Sequence, residues 1–174
     1  LVLIEGLHLS HKSGVTMEND NFKSFATKAV HSGETREKYA DSLTTPIFQT
    51  STYTFKDSQE IEAYTKQNKT RFEYGRYGNP TEKIAEKRLS ALEGAEDCVL
   101  FSSGMMAITA TIFALVHTGD HIVLTDDVYK KTLEFCESYL KRFGIECTIV
   151  KFGDYELLES SIKPNTRFIF SESP

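Results

Sequence analysis

Apolar and polar positions follow no sustained period up to about Ser42, which predicts an arm laid across a surface or a partner rather than a packed domain. Residues 46–55 are rich in β-formers and alternate loosely, so an extended segment is expected there, with a short helix around residues 61–66. Asn79 then reads as an N-cap, with Pro80 at the first helical position and Glu82 at capping-box spacing. Ile84, Ala85, Leu89 and Leu92 recur at three- and four-residue steps, so this helix should bury that face, and Gly94 should stop it.

Beyond Gly94 the pattern becomes a regular alternation. Residues 97–101 read as a short buried strand, 105–117 as a largely apolar helix and 121–125 as the next strand, together a βαβ unit. A further helix carries Leu133, Cys136, Leu140 and Phe143 on one face and closes at Gly144, before a strand at 145–150. A helix near 155–162 and a strand at 167–171 complete the series. Strands alternating with helices predict an α/β fold built on a mostly parallel sheet with helices on both faces.

Composition narrows the function classes. A chain of 174 residues, 40% hydrophobic, is long enough for one core. Its longest apolar run, 112–116, is too short to cross a bilayer, and a net charge of -5 gives no general attraction for nucleic acid. Cys98, Cys136 and Cys147 show no CxxC pairing and read as reduced thiols in packed elements, and the histidines form no HExxH motif. No metal site is expected. Met17 reads as a native start, which would make residues 1–16 upstream or non-native sequence. The acidic segment after it does not have the composition of a transit peptide, so the expected location is cytoplasmic.

Candidate chemistry gathers in loops. Tyr74 and Arg76 flank Gly75 directly ahead of the Asn79 cap, and a guanidinium fork beside a tyrosine hydroxyl suits a phosphate. Ligands of open α/β sheets bind beyond the carboxyl ends of the strands, where this chain places three polar loops. In 102–105, Ser103, Gly104 and Met105 open a helix whose first amide groups are free to hold an anion. In 126–129, an aspartate can cap the next helix and Tyr129 would stand at the top of the sheet, able to stack on a flat cofactor. The third loop, 171–174, carries Glu172, either as a site residue or as a hydrogen-bond partner of a neighbouring loop. Taken singly, the segments at 74–81 and 102–105 favour ordinary capped helices, that at 126–129 fits a capped helix as well as a site, and Glu172 keeps both of its readings. None matches GxGxxG, a Walker A loop or GxSxG, which removes support for dinucleotide, nucleotide and esterase chemistry.

Taken in order, these segments resemble the Cys/Met-metabolism family of pyridoxal-phosphate enzymes, which includes cystathionine γ-synthase, cystathionine γ-lyase and methionine γ-lyase. The likeness runs through 25–34 (FATKAVHSGE), 44–47 (TTPI), 74–81 (YGRYGNPT), 91–96 (ALEGAE), 102–105 (SSGM), 119–122 (GDHI), 126–129 (DDVY) and 172–174 (ESP). It implies the aspartate-aminotransferase-like fold, type I, with residues 17–70 as arm and extended segment and 71–174 as the first half of the cofactor-binding large domain. It also implies pyridoxal 5'-phosphate as cofactor and a homodimer or homotetramer with shared active sites. Tyr74 and Arg76 would serve the cofactor phosphate of the neighbouring subunit, while Ser103, Gly104 and Met105 would hold that of their own. Tyr129 would stack on the cofactor ring and touch substrate, and Glu172 would lie near the cofactor. The family's Schiff-base lysine and the acidic partner of the cofactor nitrogen come after the ESP motif, and Lys130 and Lys131 do not match that lysine. The 174 residues are therefore expected not to turn over alone. The wording of 72–81 is most similar to cystathionine γ-synthase, which joins an activated homoserine ester to cysteine; that of 126–129 is also similar to the γ-lyases. A non-catalytic partner subunit is a third expectation.

Overall fold

The computed structural model describes residues 2–3, 24–35, 37–66 and 71–172; the expected start at Met17 and the end of the ESP motif, Ser173 and Pro174, lie outside the described residues. The chain divides into two compact units, Leu1–Leu100 and Phe101–Pro174.

In the first unit, strand β1 (Val2–Leu3) comes first, then helices α1 (Phe25–His31), α2 (Ser58–Thr65) and α3 (Pro80–Glu93), then strand β2 (Cys98–Val99), antiparallel to β1. The α3 signals act as expected: Asn79 Oδ1 accepts from the Thr81 N–H at 2.8 Å, Pro80 follows, and Gly94 ends the helix at φ 71°. The same Asn79 side chain donates to Phe48 O at 2.8 Å and Thr81 Oγ1 accepts from the Phe48 N–H at 2.9 Å, which pins the extended segment to the helix start. Against expectation, Ile84, Ala85, Leu89 and Leu92 are only half-buried, and the buried residue of α3 is Glu86, 3% exposed. Its carboxylate accepts from Lys83 Nζ at 2.6 Å and from the Leu100 N–H at 3.1 Å.

That carboxylate also accounts for a second difference. The strand expected over 97–101 is reduced to Cys98–Val99, and just beyond its end Glu86 takes the Leu100 amide. Amide groups satisfied by side chains are not available to a ladder. Leu43 and Ile47 are 91% and 83% exposed, unburied by anything within the described chain.

The second unit carries α4 (Gly104–Leu115), β3 (His121–Thr125), α5 (Lys130–Glu134), β4 (Glu146–Val150), α6 (Tyr155–Ser160) and β5 (Thr166–Phe170). The strands form a parallel sheet in the order β4-β3-β5, with Ile122 opposite Cys147 and Phe168. All five residues of central β3 are buried, as a strand between two neighbours in a covered parallel sheet should be. Ile122 and Leu124 meet Ile112 of α4 and Val116 just after it, Cys136 and Leu140 beyond α5, and Val128 and Ile145 in one core.

The helix expected to run to Gly144 is less regular than its spacing suggests. After α5 it widens into a π turn at Phe135–Tyr139 and tightens to a 3-10 turn at Leu140–Phe143, closed by Gly144 at φ 71°. Cys136 and Leu140 reach the core, but the change of pitch turns Phe143 out to 54% exposure, where its ring meets Phe113 edge-on at 5.2 Å.

Candidate functional site

Tyr74 is held by the extended segment. It bridges Thr52, the Gly75 N–H donates to Ser51 O at 2.7 Å, and the Tyr53 N–H donates to Glu73 O at 3.0 Å. A 3-10 turn over Gly75–Tyr77 then places the Arg76 guanidinium 4.9 Å from the Tyr74 ring centre and 5.6 Å from that of Tyr77. Among the described residues Arg76 has no ion pair and donates no hydrogen bond, so its fork is free for an anion. Arg71, five residues earlier, is fully engaged instead: it pairs with Glu60 at 2.8 Å, donates to Thr54 O and Phe72 O, and lies 4.1 Å from the Phe55 ring centre.

In the second unit Ser103 is the N-cap of α4, its Oγ accepting from the Met106 N–H at 3.1 Å, and the Ala107 N–H returns to Ser103 O. This geometry leaves the Gly104 and Met105 amides without a helical partner, as the first turn of any helix must. A Cβ at Gly104 would meet no heavy atom within 4 Å, so the approach to those amides is open. Met105 Sδ accepts from Thr132 Oγ1 at 3.8 Å, which fastens the start of α4 to the first turn of α5.

Tyr129 stands at the head of α5, 56% exposed. Its N–H donates to Glu172 Oε2 at 2.9 Å, and its carbonyl accepts from the Thr132 N–H at 2.8 Å. The aspartate expected to cap this helix does not do so: Asp126 Oδ1 instead accepts from the Phe152 N–H at 2.7 Å, because β4 ends beside it and presents that amide. Thr125 Oγ1 and Ser171 Oγ, 3.2 Å apart, join the ends of β3 and β5. Lys131 is paired with Glu134 at 2.6 Å, and that carboxylate raises the lysine's pKa, so it stays protonated.

Sequence reading thus places Tyr74 beside Arg76 in one unit, and Met105, Tyr129 and Glu172 on connected elements of the other. It misses two polar centres. His121 is wholly buried in β3 with its ring nitrogens 2.8 Å from Thr166 Oγ1 and Thr148 Oγ1, and burial lowers its pKa. Asp120, ahead of it, accepts from the His117 N–H at 2.7 Å and from Arg167 Nε at 2.9 Å, both of which lower its pKa. The sequence of β3 offers no sign of the first, since its threonine partners come from two other strands.

Within the second unit the donor set fits a phosphorylated planar cofactor: two open amides at a helix start and an exposed tyrosine ring on the adjoining helix. Among the described residues no helix is long and apolar enough to cross a membrane, and no group of three or more metal-ligating side chains occurs. Comparison with known proteins points the same way. The chain is 42% identical over 149 residues to cystathionine gamma-synthase 1, chloroplastic, of Nicotiana tabacum, covering 84% of this chain and 28% of that protein. It is 38% identical over 150 residues to L-methionine gamma-lyase of Treponema denticola, covering 86% and 37%. Among solved structures, metB from Corynebacterium glutamicum superposes with a TM-score of 0.75 at 34% identity, over 86% of this chain and 37% of that one. A Campylobacter jejuni structure described as an O-acetylhomoserine (thiol)-lyase with N'-pyridoxyl-lysine-5'-monophosphate gives 0.76 at 29% identity, over 86% and 36%. The chain therefore spans 28% to 37% of the length of these proteins. With the family model matched across residues 26–174, the chain belongs to the Cys/Met metabolism family of pyridoxal-phosphate-dependent enzymes.

Proposed function

We propose that these residues build part of a cystathionine γ-synthase-like active site, which joins an activated homoserine ester to cysteine by γ-replacement. The observation that carries the cofactor reading is the contact between Met105 and Thr132: it puts the open amides at the start of α4 next to the helix headed by Tyr129. A phosphate grip and a ring platform on touching elements are what pyridoxal phosphate needs from a protein. Ser103 fixes the first turn of α4, and Gly104 and Met105 hold the phosphate by their N–H groups. Tyr129 covers the cofactor ring and meets the substrate amino acid. Tyr74 and Arg76 reach the phosphate of a neighbouring subunit in a homodimer or homotetramer. When bound, pyridoxal phosphate supplies an electron sink for carbanions of the amino-acid substrate.

Support for the synthase branch comes from the 42% and 39% identity to two plant cystathionine gamma-synthases and from the wording of residues 72–81. The experiment is a product assay on the native holoenzyme that carries these residues, supplied with pyridoxal phosphate, a homoserine ester and cysteine, followed by mass spectrometry. Cystathionine is the expected product. Thiol release from cystathionine or methionine, with no condensation, would place the chain with the γ-lyases; no uptake of pyridoxal phosphate would remove the reading altogether.

A further inference from the structure

Glu172 directs its carboxylate at a backbone amide. The helix beginning at Lys130 has Tyr129 at its N-cap, with no side-chain cap hydrogen bond. Its peptide is nevertheless fastened on both sides, by Glu172 Oε2 on the N–H and by the Thr132 N–H on the carbonyl, and φ -52°, ψ 129° records the resulting conformation. A residue whose N–H and C=O are both fixed has its Cα–Cβ direction fixed as well, so the path of the ring out of the backbone is set there. The nearer Asp126 does not compete, being bonded to the Phe152 amide. Glu172 arrives from the end of β5, beside β3, where Ser171 meets Thr125.

We infer that Glu172 is a positioning residue for the Tyr129 platform, acting through the Tyr129 amide to set the angle at which that ring meets the cofactor. The platform role rests on the proposed function; the contact does not. A carboxylate accepting from a backbone N–H is a charge-assisted bond, about twice as strong as a neutral one. Losing it is expected to weaken pyridoxal-phosphate binding about tenfold.

Three variants of the full chain separate reach from charge: Glu172→Gln keeps an acceptor at the same reach, Glu172→Asp keeps the charge but withdraws it by one methylene, and Glu172→Ala removes both. Two measurements read them, hydrogen exchange at the Tyr129 amide without cofactor, and titration with pyridoxal phosphate followed by visible circular dichroism of the bound form. Ala and Asp are expected to speed the exchange about tenfold, weaken binding by a similar factor and alter the dichroism, while Gln stays within about threefold of the unaltered chain. Should Ala fail to fold, Asp carries the same comparison. Unchanged exchange in Asp and Ala would overturn the contact. Faster exchange with unaltered binding and dichroism would overturn the positioning role, and a Gln variant as impaired as Ala would assign the effect to charge near the cofactor instead. If the unaltered chain takes up no pyridoxal phosphate, the functional reading and the platform role fall together, while the exchange rates still decide the contact.

Discussion

Arg71 and Arg76 stand on the same short loop, and their surroundings give them opposite tasks. Arg71 closes an ion pair with Glu60, two carbonyl bonds and a cation–π contact with Phe55, so its removal should cost about 1–3 kcal/mol of stability. Among the described residues Arg76 contacts only tyrosine rings, and Arg76→Ala should leave stability within about 0.5 kcal/mol while lowering pyridoxal-phosphate retention. Denaturation curves and cofactor occupancy on the two variants check both outcomes, and a reversed pattern would reverse the assignment. His121 gives a pH dependence of definite sign. Burial holds its pKa below the usual 6.5, Lys163 pushing the same way and Glu146 opposing. The unfolded chain therefore binds a proton that the folded chain refuses. His121's contribution is fully present above about pH 6.5 and is lost as pH falls below it, by up to about 1.4 kcal/mol per pH unit. Chemical denaturation at pH 7.5 and 5.5 should show the loss in the unaltered chain and a smaller one in His121→Gln.

Elements were legible where their signals are local. The Asn79 cap, Pro80 and Gly94 mark α3, and the apolar residues 122–124 mark the central strand, because caps and burial act on the residues that carry them. What stayed hidden depends on partners distant in sequence. Glu86 takes the Leu100 amide and helps shorten a strand 14 residues away, and Glu172 fastens a residue 43 positions earlier. Of the candidate loops, the residue types and their positions at strand ends could be read, whereas the Met105–Thr132 and Tyr129–Glu172 contacts could not. One packing contact can be tested directly. Gly33 has φ 77°, and a Cβ there would lie 2.8 Å from Lys87 Cβ and 2.9 Å from Arg88 N. Arg88 is itself bonded to Ser32 O and Glu34. Gly33→Ala should thus loosen α1 from α3, at a cost of about 1–3 kcal/mol. Faster proteolysis near α1 is the expected readout, and an unchanged cleavage rate would show that the close approach is relieved cheaply.

At the scale of the whole molecule, the proposal divides the site between chains: Arg76 of one subunit would serve the cofactor that Tyr129 of another would cover. Exposure of Leu43, Ile47 and the Tyr74–Tyr77 pair is consistent with surfaces that a partner covers. A shared site makes a prediction that a self-contained one does not. Consider a mixed dimer of one Arg76→Ala subunit and one Tyr129→Ala subunit. If sites are shared, one site takes both intact residues and the other takes both defects, so random mixing leaves about one site in four intact. If each site draws both residues from its own chain, every site keeps one defect and mixing restores nothing. Pyridoxal-phosphate occupancy measured before and after co-refolding of the two variants distinguishes these cases. Recovery toward a quarter of the unaltered occupancy is expected, and none at all would place Arg76 and Tyr129 on the same cofactor within one subunit.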